Sequence, residues 1–360
     1  MSAHTKKLLF ICGSLNQTTQ MHQIAARLPE HELRFTPYYA SGPLEALRRA
    51  GLVEFTILGA RLRSRCLDYL KGHALPVDDG GREGGYDLVL TCSDLTVPEN
   101  IRLARVVLVQ EGMTDPETPV TRLVRALPFL PRWLAGTSAT GASNAYERFC
   151  VASEGYRDHF IRRGADPERI VVTGIPNFDD CARYLQNDFP HRQFVLVCTS
   201  DMRETFVYEN RRELIRRAVQ IADGRQLIFK LHPNENTGRA REEVRRWAPG
   251  ALVYTAGRAE EMVANCDVLI TRRSSLAYVG IALGKQTFSD FDMDDLRRMV
   301  PDQHGMAAEN IAAVARMLLE EPPAGEEAGR APRAARTLRR RSLRRRYARG
   351  LVPAFPLTAV

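Results

Sequence analysis

The chain has 360 residues, 44% of them hydrophobic and 26% charged, a composition typical of a globular protein that is long enough for two domains. It has no apolar run near the roughly 20 residues that span a bilayer and no signal-peptide pattern, so we expect a cytoplasmic protein. The net charge of +8 comes from nine arginines within residues 331–360, and the rest of the chain is near neutral, so we do not expect nucleic acid as a partner.

The seven cysteines are spread along the chain without a CxxC pair. Four of them lie within or beside strand-like apolar runs. This distribution predicts buried, reduced thiols, and it argues against a metal site or a disulfide framework.

Strand-like apolar runs alternate with helix-patterned segments along the whole chain. The first series contains KLLFICGS, the helical TTQMHQIAARLPE, YDLVLTCSD, RVVLVQEG, RFCVASEGYRDHFIRRG and RIVVTGIP. After a polar stretch, the second series contains QFVLVCTS, NRRELIRRAVQIADG, LIFKLHP, REEVRRWAP, ALVYTAG, RAEEMVANC and DVLITRRSS. Continuous apolar strands separated by helices indicate parallel sheets that are covered on both faces.

The alternation therefore predicts an α/β protein with two doubly wound, Rossmann-like domains that face a central cleft. We place the first domain at residues 1–178 and the second at 179–320. Residues 321–360 contain a linker and an arginine-rich tail, RAARTLRRRSLRRRYARG. The flexible linker sequence, LLEEPPAGEEAGRAP, spans residues 318–332 and so begins at the end of the second domain.

Ligands of open parallel sheets bind beyond the carboxyl ends of the strands, which makes the polar residues at strand ends candidates for the site. In the first half, GSLNQTTQ predicts a βα turn capped by Thr18 or Thr19, or a turn that binds an anion or a sugar hydroxyl. Asp94 follows a strand and either caps a turn or acts as a catalytic acid. Glu111 stands before Gly112 at the end of a strongly apolar strand and is the candidate general base.

In the second half, QLIFKLHPNEN places a charged and polar group at the end of a strand. His232 can donate to a phosphate oxygen, and Pro233 fixes the extended backbone before it. Lys230 adds a positive charge if its side chain reaches the cleft.

Two more strand ends of the second half suit a phosphate group. VCTSDMRET provides Thr199, Ser200 and Arg203. LITRRSSLAYVG provides the hydroxyls of Ser274 and Ser275, of which a helix cap needs only one.

In the order of its elements and in these polar strand ends, the chain resembles the GT-B superfamily of nucleotide-sugar enzymes over roughly residues 6–318. The segment RFCVASEGYRDHFIRRGADPERIVVTGIPNFD is similar to the interdomain passage of UDP-GlcNAc 2-epimerases and related glycosyltransferases. The resemblance implies that the first domain holds an acceptor and that the second holds a nucleotide donor.

Two branches of the superfamily remain open. The acid-Gly, His-Pro and Ser-Ser motifs of bacterial sialyltransferases and capsule-type transferases are matched at Glu111, His232–Pro233 and Ser274–Ser275, but Gln110 stands where a second acid is preferred. The epimerase branch has catalytic acids where Asp94 and Glu111 stand. TSDMRET lacks the histidine of its HRREN motif, however, and RSSLAYVGIALG lacks the glutamates of its GGxQEE motif.

We therefore expect a metal-independent glycosyltransferase that transfers a sugar from a nucleotide-sugar donor to a glycan or lipid-linked acceptor in surface polysaccharide biosynthesis. No separate cofactor is expected, and CMP, CDP and UDP stay open as the carrier. The alternatives are an epimerase of nucleotide sugars and a non-catalytic nucleotide- or membrane-binding protein. The arginine-rich tail is either a peripheral contact with the inner membrane face or a solvated segment.

Overall fold

The structure is a computed structural model that describes residues 5–54, 56–96, 98–102, 104–127, 130–205 and 207–321. The arginine-rich tail and most of the predicted linker lie outside these residues. Contacts group the described residues up to Arg316 into one compact unit, and the described residues from Met317 onward belong to a second. None of the described helices is long and apolar enough to cross a membrane.

Six parallel strands form the first sheet, in the order β2-β1-β3-β4-β5-β6. Their bounds are β1 Lys7–Cys12, β2 Glu32–Pro37, β3 Leu88–Thr91, β4 Arg105–Val109, β5 Arg148–Val151 and β6 Ile170–Val172. The inner strands are buried along almost their whole length, as expected for strands with helices on both faces.

Five parallel strands form the second sheet, in the order β11-β10-β7-β8-β9. Their bounds are β7 Val195–Cys198, β8 Leu227–Lys230, β9 Leu252–Tyr254, β10 Val268–Thr271 and β11 Gln286–Phe288. The fold class predicted from the alternating pattern, α/β with two doubly wound parallel sheets, is confirmed.

The helices that flank the sheets are α1 Leu15–Ala25, α2 Pro43–Arg49, α3 Ala60–Gly72, α4 Pro119–Ala126, α5 Glu154–Arg162, α6 Arg211–Ala222, α7 Thr237–Trp247, α8 Ala259–Asn265, α9 Leu276–Ala282, α10 Met293–Met299 and α11 Ala307–Glu320. Several begin at a side chain that accepts a hydrogen bond from a free backbone N–H of the first turn, as Ser153 does for α5 and Asn236 does for α7.

The main hydrophobic core extends through both sheets. One cluster of buried residues includes Leu9 and Phe149 of the first sheet together with Leu196, Ile228 and Leu269 of the second. The opposite face of the second sheet packs on α6 and α7 through a separate cluster. The division of the chain at residue 178 remains a prediction, and the shared core was not predicted from the sequence.

Two local predictions need correction, and a third is confirmed. Helix α1 is capped by Ser14, whose Oγ accepts from the backbone N–H of Gln17 at 3.2 Å, and not by Thr18 or Thr19. The helix α11 continues to Glu320, so the first residues assigned to the linker are helical. The predicted buried, unpaired state of all seven cysteines is confirmed.

Candidate active site

The polar strand ends of the second sheet lie side by side. Strand β7 pairs with β10 on one side and with β8 on the other. The loop with Thr199 and Ser200 therefore lies between the loop with His232 and the loop with Ser274 and Ser275. Because the strands are parallel, all three loops leave the same edge of the sheet, as the sequence predicted.

Glu111 follows β4 and is held by side chains from the first turn of α1. Its Oε1 accepts from Ser14 Oγ at 2.7 Å and its Oε2 accepts from Gln17 Nε2 at 2.5 Å. The side chain is only partly buried. Two donors fix the orientation of the carboxylate and leave other lone pairs of its oxygens free to accept a further proton or hydrogen bond.

The residues on either side of Glu111 explain how it is placed. Gln110 is 1% exposed; its Nε2 donates to the Gly112 carbonyl at 2.8 Å and its Oε1 accepts from Ala152 N at 2.9 Å. A carboxylate at position 110 could accept the second bond but could not donate the first. Gln110, which replaces the second acid of the sialyltransferase motif, therefore has a structural role that requires an amide.

The backbone after Glu111 closely approaches the loop of the second sheet that carries the two serines. A Cβ added to Gly112 would be 3.9 Å from Cβ of Ser275. A cavity of about 210 Å³ opens beside this contact and is lined by Met113, Thr114, Asp115, Arg273, Ser274, Ser275 and Phe291. The structure thus brings the loop after β4 and the loop after β10 to a shared gap.

Ser274 and Ser275 differ in what their hydroxyls do. Ser274 Oγ accepts from Leu276 N at 3.3 Å, whereas Ser275 occupies the cap position of α9 without a side-chain capping bond. Next to them, Arg273 is exposed and lines the cavity, while Arg272 is bound to Asp290 at 2.7 Å. Among the residues at this strand end, Ser275 and Arg273 are free to contact a ligand.

His232 presents one ring nitrogen outward. Its Nδ1 accepts from Asn234 N at 3.2 Å, and its own backbone N–H donates to Thr199 Oγ1 at 3.0 Å. With Nδ1 in use as an acceptor, the proton of the neutral ring is on Nε2, which can donate to an anion. Burial lowers the pKa of His232, which keeps the ring neutral. Pro233 beside it is exposed.

Ser200 is the free hydroxyl at the end of β7. Its Oγ is buried and has no hydrogen-bond partner among the described residues. Thr199, by contrast, is buried and donates from Oγ1 to Glu235 Oε2 at 2.5 Å. Thr199 therefore supports the backbone of His232, and Ser200 is the member of the pair with a vacant hydrogen-bonding position.

The structure does not place Lys230 and Arg203 as free cations in the gap. Lys230 is 6% exposed, its Nζ donates to the Leu231 carbonyl at 3.0 Å, and burial lowers its pKa. Arg203 makes paired hydrogen bonds to Glu243 at 2.8 and 2.9 Å and an ion pair with Glu235 at 3.2 Å. The expectation that these two residues touch a phosphate conflicts with their contacts.

Arg203 belongs to a buried ion cluster that sequence reasoning missed. Arg211 is bound to Glu235 at 2.6 Å and to Glu209 at 2.9 Å, and both glutamate side chains are completely buried. Glu209 also lies 3.9 Å from Arg272. The cluster joins the loops after β7, β8 and β10, so its effect is to fix the three strand ends relative to one another.

Asp94 is buried, at 2% exposure, and both of its oxygens are in use. They accept from Gly141 N at 3.0 Å and from Ser143 N at 3.1 Å. Burial raises the pKa of this carboxyl group. The cavity it lines is a different one, shared with Tyr146 and Arg169. These contacts anchor the loop before β5, and the catalytic role of Asp94 remains a prediction that they do not favour.

Asn177 is a further polar residue that reaches the first turn of α1. Its Nδ2 donates to the Asn16 carbonyl at 2.8 Å, and its Oδ1 accepts from Gln23 at 2.8 Å. The sequence singled out the turn GSLNQTTQ but gave no sign that Asn177 and Glu111 would meet it. Among the described residues, no group of three or more His, Cys, Asp or Glu side chains could hold a metal ion.

Solved structures with the same architecture include enzymes of nucleotide-sugar metabolism. A candidate UDP-N-acetylglucosamine 2-epimerase from Listeria monocytogenes superposes with a TM-score of 0.59 at 14% identity, over 89% of this chain and 98% of that one. The S. aureus MnaA–UDP complex gives 0.56 at 12% identity over 88% and 99%. The UDP-GlcNAc 2-epimerase from Neisseria meningitidis, bound to UDP-GlcNAc, gives 0.53 at 10% identity over 88% and 100%.

These likenesses establish the fold. The chain has the GT-B architecture of two Rossmann-like α/β halves, as the resemblance implied. No protein-family model and no curated protein matches it. At identities of 10 to 14%, the comparison does not extend to the activity.

Proposed function

We propose that the chain is an enzyme that transfers a sugar from a nucleotide-sugar donor to a hydroxyl of a glycan or lipid-linked acceptor. The observation that carries the proposal is the close approach of two loops at Gly112: the loop after β4, which carries the fixed and partly exposed carboxylate of Glu111, and the Ser275 loop. One side offers a base and the other offers groups that suit a phosphate.

The roles follow from what each group can exchange. Glu111 takes the proton of the acceptor hydroxyl while the oxygen of that hydroxyl bonds to the anomeric carbon of the donor sugar. The bond between that carbon and the phosphate oxygen breaks, and the nucleotide leaves with the electron pair. The Nε2–H of His232, the hydroxyls of Ser200 and Ser275 and the guanidinium of Arg273 stabilise the departing phosphate. Because these groups supply the neutralisation, the proposal requires no metal ion.

Epimerisation of a nucleotide sugar is the second candidate, and the fold likeness to UDP-GlcNAc 2-epimerases favours it. An epimerase of that branch would use Asp94 and Glu111 as its two acids. In this chain, both oxygens of Asp94 are bound to backbone N–H groups of one loop. Of the two carboxylates, therefore, only that of Glu111 is partly exposed and free of backbone N–H donors, which supports transfer over epimerisation.

The test is a proton NMR assay of the full chain with single nucleotide sugars, chosen by a thermal-shift panel of CMP, CDP, UDP and GDP. Transfer predicts donor breakdown that accelerates with an acceptor. Interconversion of UDP-GlcNAc and UDP-ManNAc without an acceptor would instead establish the epimerase.

Variants then test the roles. We expect Glu111→Gln to lower kcat by about 10²- to 10⁴-fold and His232→Ala to lower it by about 10²-fold. The exposed residues Glu168 and His304 give matched controls, Glu168→Gln and His304→Ala, that should retain activity. Full activity of both site variants with every active donor would refute the assignment.

A further inference from the structure

The segment between β4 and β5 carries an apolar surface that the proposed chemistry does not use. Here α4 and the 3₁₀ segment Arg132–Ala139 pack together through a small core of Val124, Ala135 and Ala139. Thr121 Oγ1 and Ser138 Oγ also share a hydrogen bond at 2.6 Å. This pairing holds the two segments as one element on the side of the first sheet.

Helix α4 has apolar side chains on its exposed face as well as on its buried face. Thr121 and Val124 point into the small core, whereas Val120 and Leu123 are 46% and 51% exposed. These two are three residues apart and so share one face of the helix. Leu134 is 45% exposed and precedes Ala135, which packs against Val124. Three large apolar side chains thus reach solvent from one small element.

Basic residues outnumber acidic ones around these side chains, where the acid Glu117 directly precedes α4. Residues 118–146 contain Arg122, Arg125 and Arg132 and no acidic residue. Arg125 is bound to Glu117, while Arg122 and Arg132 are exposed and form no ion pair with any residue that the structure describes. Exposed leucine and valine flanked by unpaired arginines are complementary to a surface that is apolar beneath an anionic layer.

We propose that the α4 surface, defined as Val120, Arg122, Leu123, Arg132 and Leu134, docks on an anionic phospholipid bilayer. This surface belongs to the folded part of the chain and is separate from the arginine-rich tail. Docking is an additional property that does not depend on the proposed transfer reaction. It would bring the bilayer close to the gap, because Thr137 of the same element donates to Asp115, a cavity-lining residue, at 2.5 Å.

The two tryptophans of the chain allow a site-resolved test. Trp133 lies within the α4 element beside Leu134, and Trp247 ends α7 of the second half. Full-length Trp247→Phe and Trp133→Phe proteins each retain one reporter. With phosphatidylglycerol vesicles that contain brominated phosphatidylcholine, we expect quenching of Trp133 and no quenching of Trp247. Equal quenching of both, or an unquenched Trp133, would overturn the proposal.

Sedimentation with the same vesicles provides the second readout. We expect Leu123→Glu to weaken vesicle binding by about tenfold, since it replaces an apolar side chain that would enter the bilayer with a charge of the same sign as the lipid. Val219→Glu is the matched control, because Val219 is 42% exposed on α6, and it should bind like the wild type.

Other outcomes would contradict docking on anionic lipid. If the protein bound phosphatidylcholine vesicles as tightly as phosphatidylglycerol vesicles, the arginines would not contribute to binding through the charge of the lipid. A changed oligomeric state of Leu123→Glu with unchanged sedimentation would assign the surface to a protein contact. Neither readout requires turnover, so an inactive enzyme with normal quenching would refute the transferase and leave the docking intact.

Discussion

Asp94 and Glu111 are acidic residues that follow neighbouring strands, but their surroundings give them different chemistry. Asp94 is buried and accepts two backbone hydrogen bonds from one loop. Glu111 accepts from two side chains and remains partly exposed. A carboxylate whose oxygens are committed to backbone N–H groups stabilises a loop, whereas one that accepts from two side chains and is partly exposed keeps lone pairs that can accept from a ligand.

We predict that Asp94→Asn acts on stability and not on turnover. The amide nitrogen would face a backbone N–H, so one buried donor loses its acceptor at a cost of about 1–3 kcal/mol. Thermal unfolding and kcat of the folded protein are the measurements. Glu111→Gln should show the reverse, with lower kcat and a nearly unchanged Tm. A large loss of kcat in Asp94→Asn at unchanged Tm would instead make it a catalytic acid.

The buried ion cluster gives a second prediction at the scale of single residues. Glu235 is completely buried and contacts Arg203 and Arg211, so Glu235→Gln leaves positive charge without a full counter-charge. We expect a loss of about 3–5 kcal/mol in the free energy of unfolding, measured by urea denaturation. The exposed ion pair of Glu242 with Arg245 provides the control, because Glu242→Gln should change stability by less than about 1 kcal/mol.

Much of the candidate site could be predicted from its position after strands. Glu111 follows a buried strand of the first sheet, and His232, Ser200, Ser274 and Ser275 follow buried strands of the second. Parallel topology brings the residues that follow the strands of one sheet to the same edge of that sheet. The partners that decide their roles could not be predicted in this way. The contact of Gln17 with Glu111 and that of Arg203 with Glu235 depend on side-chain directions and on residues far apart in the chain.

At the scale of elements, α5 docks against the end of α10 with no room for a side chain at one position. A Cβ on Gly155 would overlap the backbone carbonyl of Arg298. We predict that Gly155→Ala destabilises the protein by about 1–3 kcal/mol or more, because backbone must move to relieve the overlap. Thermal or urea unfolding gives the measurement.

The matched control is Gly238→Ala in α7. Its Cβ would meet only Asn236 Oδ1, at an ordinary 3.6 Å, and alanine favours a helix over glycine by up to about 1 kcal/mol. Opposite signs for the two substitutions are expected. If Gly155→Ala were as stable as the wild type, the close approach of α5 and α10 would be refuted.

Helix α5 also carries a histidine that should make stability depend on pH. Burial, with Arg163 and Arg162 nearby, lowers the pKa of His159 to about 4 from the usual 6.5. Between these values the unfolded chain binds more protons than the folded protein, so stability falls as the pH drops from about 6.5 towards 4. Allowing for partial exposure, the loss is on the order of 1–2 kcal/mol.

The measurement is Tm as a function of pH for the wild type and for His159→Gln. The variant should lose less stability over this range, because glutamine does not titrate. His304→Gln is the control, since His304 is exposed. Parallel pH profiles of His159→Gln and the wild type would show that His159 does not contribute to the slope.

The predicted elements match the structure best where strands are buried on both faces. Runs such as VVLV of β4 are apolar throughout and are recognisable without tertiary information. Strand β2 was missed because Glu32–Pro37 mixes charged and apolar residues. It ends the strand order of the first sheet, where β1 is its one full partner and only an isolated bridge between Phe35 and Val77 lies on its other side. Edge strands need less burial, and a short sequence window carries little evidence of them.

At the scale of the whole molecule, the two sheets share one hydrophobic core. Tyr156 of α5 and Tyr278 of α9 are buried and share a hydrogen bond between their hydroxyls at 2.5 Å. The N–H of Asp302 donates to the Ala152 carbonyl at 3.1 Å. Such contacts make the stability of each half depend on the other, in contrast to two domains joined only by a linker.

We therefore predict that the described part of the chain unfolds in a single cooperative transition. Trp133 reports on the first half and Trp247 on the second, so the two single-tryptophan proteins can be compared with the same denaturant. For each protein, the fluorescence transition is compared with the loss of secondary structure measured by far-UV circular dichroism, and the two should coincide. Leu196 is completely buried in the shared core, and Leu196→Ala should shift both reporters together by about 2–5 kcal/mol. If Leu196→Ala shifted the Trp247 transition and left that of Trp133 unchanged, the halves would be independent folding units, and the continuity of the core would not couple them energetically.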